Sequence, residues 1–412
     1  RCLRHADRTL DRSASEQPVG PRGVPSHVGR RGSGERIHRR VRYRVLPAGP
    51  ARATGHAVQP VTRFHQRRRA VGERLELAVD EAFVTADLST IEYLTGFNGS
   101  NATLALGADH ELLITDGRYR EQAAAQCPDI EVCIDRDVSG ALASGLTQRQ
   151  LRIDDRSSAS FLAALRSRGF SISTIADPVA AARMAKDADE QRALAAACAI
   201  TAQALADIAA SIAVGQREVE IARRLELRFA ELGADDRAFP SIVGSGPNSA
   251  IPHHRPGKRA LEAGDLLVID CGAKVDGYHA DMTRTFVVGA DAEPWQREIH
   301  AHVEEAQRSG IEAIRPGVSA ASIDHAARSG IDEAGYGQHF VHGTGHGVGL
   351  QIHEAPMLSR TSSATLPEGA VITVEPGIYL PGRGGVRIED TVLVANPAQV
   401  LTALERGLTR VG

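Results

Sequence analysis

Aromatic side chains are scarce, at 4% of the 412 residues, so a protein built to stack bases or sugars is excluded. Cysteine is scarce too. Cys2, Cys127, Cys133, Cys198 and Cys271 are five, an odd number, and no CxxC pair occurs, which leaves neither a disulfide framework nor a zinc ribbon. No apolar run reaches the roughly 18 residues that a membrane span needs. The most apolar helix, around Ala193–Val214, is interrupted by Asp207. No secretory apolar segment stands near the start. The expectation is a cytoplasmic protein with no membrane partner. Lysine is nearly missing, 3 residues against 45 arginines, as a high-GC genome produces.

The net charge of −3 hides an asymmetry. Residues 1–70 carry 17 Arg and four acids, hence +13, and the remainder carries −16. A basic arm can bind nucleic acid. This one is rich in Pro, Gly and Arg, lacks apolar periodicity and precedes the first methionine, Met184. Residues 1–61 are therefore read as an extension that is disordered or translated from an over-extended reading frame, with a transit peptide as a lesser alternative. No nucleic-acid partner is expected, and deleting 1–61 is expected to leave activity unchanged.

From Thr62 onward the pattern becomes that of a folded chain. A short helix is expected over Arg67–Leu77, strands over Ala82–Thr85, Ile91–Leu94, Ala102–Leu106 and Glu111–Ile114, and a helix over Arg120–Gln126. This alternation suits an α/β domain. The acids of Asp187–Glu190 then head a long Ala-rich helix, where the helix dipole favours negative charge. A domain boundary is placed at 180–187. Further helices are expected over Glu218–Leu232, stopping at Gly233, and over Trp295–Ile314 and Ser319–Ala334. Gly-punctuated strands lie between them, so the second domain reads as α+β.

Two segments carry chemistry in the same form. In Asp265–Phe286 an apolar run enters Asp270, turns at Val275-Asp-Gly277 and returns through Asp281. A loop centred at Val275–Asp276 sets Asp270 opposite Asp281, and a slip of one residue sets it opposite position 283. Either register points both carboxylates to one face. Two such acids face solvent, share a proton or flank a cation. In Gly369–Val394 an apolar strand ends at Glu375, passes Pro376 and a Gly/Pro loop, and returns through Glu389. Glu389 stands among apolar residues and is expensive to bury unpaired.

Between these segments His342, His346 and His353 lie among glycines, which let backbone approach a ligand closely. His253-His254 forms another pair. Four carboxylates with one or more imidazoles suit two divalent cations, Mn²⁺ first, with Co²⁺, Fe²⁺ or Zn²⁺ as alternatives. Two ions sharing a water lower its pKa toward roughly 7, so the implied reaction is hydrolysis. No GxSxG, reactive-cysteine arrangement or P-loop competes; Gly343–Gly349 lacks the Lys-Ser/Thr ending of a phosphate loop.

Over roughly 62–412 the chain resembles the Xaa-Pro peptidases of the pita-bread metallopeptidase family M24, aminopeptidase P and prolidase. The likeness rests on Ile91–Ser100 and Thr115–Arg120 in the first domain. In the second it rests on Asn248–His253, Asp281–Phe286, Gly345–Leu350, Val374–Tyr379 and Val386–Asp390. It implies an α+β protein: a pita-bread catalytic domain over 184–412 preceded by a smaller α/β creatinase-like N-terminal domain over 62–183. It implies metal ligands at Asp270, Asp281, His346, Glu375 and Glu389, with Asp281 and Glu389 bridging two ions and Glu375 also acting as general base. His253, His342 and His353 would donate to the substrate carbonyl or tetrahedral intermediate. Arg387 would sit behind the site or meet a substrate carboxylate, and Tyr379 would line a proline pocket. The expected activity is that of aminopeptidase P, hydrolysing the N-terminal Xaa-Pro bond of small peptides with proline second. The alternative is an Xaa-Pro dipeptidase, or prolidase. Methionine aminopeptidases generally lack the first domain, and creatinase lacks the metal site. A non-catalytic pita-bread module binding a protein partner is the reading from another class, and such relatives lose ligands that this chain keeps. A homodimer is implied.

Overall fold

The computed structural model describes residues 62–412. The expectations for residues 1–61 lie outside the described residues. The first part is a six-stranded mixed sheet. Its order is Glu131–Ile134, Glu111–Thr115, Ala102–Gly107, Glu81–Thr85, Gln150–Asp154 and Ser171–Ile175. Glu81–Thr85 pairs antiparallel with Ala102–Gly107 and parallel with Gln150–Asp154. The stretch expected as a strand over Ile91–Leu94 is instead inside the helix Leu88–Thr95. Asp87 caps it by accepting from Thr90 N, and Gly96 ends it at a φ of 76° that only glycine adopts freely. A short apolar run does not by itself separate strand from helix; the caps decide it. The first helix runs Arg63–Leu75, starting earlier than expected because Thr62 supplies an N-cap.

Helix Ala188–Ala209 opens the second part on a capping box between Asp187 and Glu190. By length and composition it could cross a membrane. Ten of its side chains are buried instead, including Ala197, Cys198 and Leu205 in the protein core. Thr201 accepts from Ala273 N at 2.9 Å, tying this helix to the first acidic hairpin. Helices Glu218–Glu231, Pro294–Glu312 and Ala320–Glu333 pack outside two sheets. One sheet has the order Thr409–Val411, Met282–Val288, Leu266–Cys271, Ile242–Ser245. The other has the order Glu354–Leu358, Gly345–Gly347, Val371–Val374, Asp390–Leu393, Gln399–Val400. All six residues of Leu266–Cys271 are buried. Each of its large apolar side chains contributes roughly 1.5–3 kcal/mol by leaving water.

Both acidic segments are hairpins, and both are interrupted halfway. In the first, Asp270 faces Thr283, the slipped register of the two expected. Pairing resumes beyond the gap with Lys274 opposite His279. The gap sets Gly272 across from Asp281, and there a Cβ on Gly272 would lie 1.9 Å from Ala280 O. In the second, Gly377 faces Arg387 and Val374 faces Asp390, in two different sheets, so Glu375 lies opposite Glu389 where the strands change sheet. Pro376, which has no N–H to give, marks that break.

The returning strands of the two hairpins run antiparallel beside each other. Thr285 Oγ1 donates to Arg387 O at 2.9 Å, Glu389 N to Thr283 O at 3.1 Å, and Thr391 Oγ1 to Asp281 O at 2.7 Å. Pairing within each hairpin is thus interrupted where the four carboxylates converge.

Candidate metal centre

Asp270, Asp281, His346, Glu375 and Glu389 line one cavity of 420 Å³ together with His253, His342, His353 and Arg387. Nine of the residues singled out from the sequence are thus brought together. Asp281, His346 and Glu389 each place a ligand atom within 4.8 Å of the others. His346 Nε2 lies 3.6 Å from Asp281 Oδ2 and 3.4 Å from Glu375 Oε1. Its Nδ1 donates to Gly347 O at 3.0 Å, which fixes the tautomer and leaves the Nε2 lone pair facing the acids.

The carboxylates are held from behind. Arg387 Nη2 donates to Asp270 Oδ2 at 2.8 Å, and Thr283 Oγ1 donates to Glu389 Oε2 at 2.7 Å. The other oxygen of each, Asp270 Oδ1 and Glu389 Oε1, is buried without a hydrogen-bond partner. A buried acceptor left unpaired is costly, and a cation between the two hairpins would satisfy both. Electrostatics agree. Burial pushes Asp281 well above the usual carboxylate range, and repulsion from Glu389, Asp270 and Glu375 adds to it. Glu389 is raised well above its ordinary value by burial and by Glu375 and Asp270. Burial lifts Glu375 to about 8 against the opposing charge of Arg387. These acids ionise together only beside added positive charge. An oxygen-rich set with one imidazole fits hard or borderline divalent ions.

The geometry bears on three assignments. Arg387 is 3% exposed, and its three nitrogens serve Thr283 Oγ1, Pro252 O, Tyr379 Oη and Asp270 Oδ2 at 2.8–3.2 Å. It is engaged behind the carboxylates, the first of the two roles expected of it. Tyr379 is buried and lies outside the cavity lining. It lines no proline pocket; its hydroxyl joins Arg387 to His342 Nε2 at 2.9 Å each. His342 donates from Nδ1 to Gly343 O at 2.8 Å, so its Nε2 accepts from Tyr379. Burial, with Arg387 nearby, lowers its pKa to about 4. His342 is a neutral ring with both nitrogens taken, unable to donate to a carbonyl in this arrangement. His253 and His353 are exposed and line the cavity, His353 with its ring 4.3 Å from that of His346.

Sequence reasoning missed the carboxylates that hold the histidine-bearing loops. Glu218 accepts from Ser245, Asn248, His254 and Gly257. Asp324 accepts from Thr344 and pairs with Arg328, which donates to Phe340 O and His342 O. Glu354 pairs with Arg183 and Lys186. Of these only Asp324–Arg328 leaves a signal, the i,i+4 spacing of opposite charges on a helix.

Two family descriptions match the chain. Residues 192–396 match the family described as Metallopeptidase family M24, and residues 67–185 match the Creatinase/Prolidase N-terminal domain. The chain is 46% identical over 235 residues to an Xaa-Pro dipeptidase of Pyrococcus furiosus, covering 57% of this chain and 67% of that protein. Among solved structures, an Xaa-Pro dipeptidase from Bacillus anthracis superposes with a TM-score of 0.81 at 32% identity, covering 84% of this chain and 100% of the other. An X-Pro aminopeptidase from Thermotoga maritima gives 0.77 at 35% identity, covering 84% and 99%.

Proposed function

The chain belongs to metallopeptidase family M24, a pita-bread hydrolase with a creatinase-type N-terminal domain, and on that premise we propose that it is an Xaa-Pro dipeptidase using two divalent metal ions. The sequence alone led first to aminopeptidase P. The balance moves to the dipeptidase because Xaa-Pro dipeptidases and prolidases outnumber aminopeptidases among the similar proteins whose names state such an activity, while an X-Pro aminopeptidase is also structurally close.

The observation that carries the metal reading is the pair of unpartnered buried oxygens on Asp270 and Glu389, set across the two hairpins. Asp270, Asp281, His346, Glu375 and Glu389 would hold the ions, Mn²⁺ first by the oxygen-rich donor set. When bound, the ions supply an activated water and polarise the scissile carbonyl. The chain does the rest. Arg387 keeps Asp270 charged and aimed. Glu375 would take the proton from the attacking water and pass it to the leaving proline nitrogen. His253 and His353 donate to the oxygen on which negative charge develops. A peptide bond before proline has no N–H, so the site needs no acceptor there. Phe239, Pro240, Ile242, Ile352 and Met357 give the cavity an apolar wall for a ring. A homodimer in the cytoplasm is the proposed working form.

The test uses the full chain, metal-stripped and resupplied with Mn²⁺, on Ala-Pro and Ala-Pro-Ala. The dipeptidase reading expects Ala-Pro to be cut with kcat/KM roughly tenfold or more above Ala-Pro-Ala, a difference of about 1.4 kcal/mol. Equal cleavage of Ala-Pro-Ala at its Xaa-Pro bond returns aminopeptidase P. Cleavage of neither with Mn²⁺, Co²⁺ or Zn²⁺ overturns the proposed specificity.

A further inference from the structure

A dipeptidase must recognise the free carboxylate one residue beyond the scissile bond, and that carboxylate needs a positive partner in the cavity wall. This inference rests on the dipeptidase reading. Arg387 gives four hydrogen bonds to Thr283, Pro252, Tyr379 and Asp270, His342 has both nitrogens taken, and His346 faces the acids. The remaining basic stretch of the lining is His253-His254-Arg255, with His353 on the far side against His346.

Within that stretch His254 is singular. Its Nε2 lies 2.9 Å from Glu218 Oε2, and the Glu218 side chain is 0% exposed. Glu218 also accepts from Ser245 N, Ser245 Oγ, Asn248 Nδ2 and Gly257 N at 2.8–3.1 Å. Burial opposes its charge, yet the donors of Asn248, His254 and Ser245 outweigh burial and hold its carboxyl below the usual range. An ionised carboxylate can only accept, so His254 presents Nε2–H to it and turns Nδ1 away. A second carboxylate at Nδ1 would set the ring between two anions, donating to both. Arg255 stands next on the same wall, exposed and without an ion pair among the described residues.

We propose that His254, backed by Glu218 and flanked by Arg255, receives the C-terminal carboxylate of the dipeptide and sets the preference for dipeptides over longer substrates. His254 would act on binding, as a specificity residue, with no part in proton transfer at the scissile bond.

The test compares Ala-Pro with Ala-Pro amide, which has the same scissile bond and a neutral end, on the Mn²⁺-loaded full chain. His254→Gln keeps a side-chain N–H for Glu218, so the loop is retained; metal content and thermal midpoint check this. The variant is expected to lose roughly tenfold or more in kcat/KM on Ala-Pro, mainly through KM, as for a lost hydrogen bond to a charged group. The amide should lose far less, so the acid-over-amide preference collapses. Arg255→Gln should erode the same preference more weakly. Equal losses on both substrates would reduce His254 to a loop clamp, and an intact preference would place the carboxylate elsewhere; either result overturns the proposal. If the wild-type chain takes the amide as readily as the acid, the dipeptidase reading itself has failed, and the carboxylate site with it.

Discussion

Asp270 and Glu389 each spend one oxygen on a protein donor and keep the other unpaired, whereas Asp281 lies within reach of both His346 and Glu389. Those positions predict different losses. Asp281→Ala removes the acid shared by the cluster, so bound metal measured by elemental analysis should fall together with activity. Wild-type metal content in that variant would dismiss the assignment. His353→Ala removes an exposed ring packed on His346, and should keep the metal while lowering kcat roughly a hundredfold, the size of one lost oxyanion donor. The clustered acids were legible in sequence because an acid ending an apolar run is expensive unless used. Their supports were not legible. Thr283 is an ordinary strand residue that reaches Glu389 across 106 positions of chain, and Tyr379 looked like a pocket residue until its hydroxyl was seen between Arg387 and His342.

At the scale of elements the interrupted hairpin is the repeated device. A continuous ladder would leave no room for a cation; each gap bends the strands and turns side chains inward. Gly272 sits in the first gap because any Cβ would meet Ala280 O at 1.9 Å. Gly272→Ala should therefore spread the hairpin, cost about 1–3 kcal/mol as overpacking does, and weaken metal retention because Asp270 and Asp281 flank the site. Urea unfolding and metal titration read the two effects separately. Full stability together with full metal affinity would show that the gap is not what places the acids. The hairpins were visible in sequence through apolar runs that end in acids and the turn residues between them. Their register was visible only to within one residue, since parity is all that a period-2 pattern fixes. The helix Leu88–Thr95 was misread as a strand because its apolar run is four residues long, and the capping role of Asp87 was not weighed.

Across the molecule, the segment before helix Ala188–Ala209 is locked to the histidine loop by buried charge. Arg183 and Lys186 both pair with Glu354, which directly follows His353; the side chains are 3%, 1% and 6% exposed. One apolar cluster also runs through both parts, from Phe83, Leu94 and Leu104 to Tyr278, Val348 and Leu350. Removing the single anion from this trio leaves two buried cations, so Glu354→Gln should cost about 3–5 kcal/mol, whereas Lys186→Met leaves a neutral Arg183–Glu354 pair and should cost less. Burial disfavours the charged Glu354, but Lys186 and Arg183 outweigh it and hold its carboxyl below the ordinary range. A folded-state value below the unfolded one, about 4.3, stabilises fully above that pH and is lost as pH falls through the folded value. The stability gap between wild type and Glu354→Gln should thus be widest near neutrality and shrink on acidification below about pH 4. Urea midpoints at neutral and acid pH measure it. A gap unchanged with pH would mean that shape rather than charge is what Glu354 contributes, and the ionic lock between the first domain and the His353 loop would lose its basis.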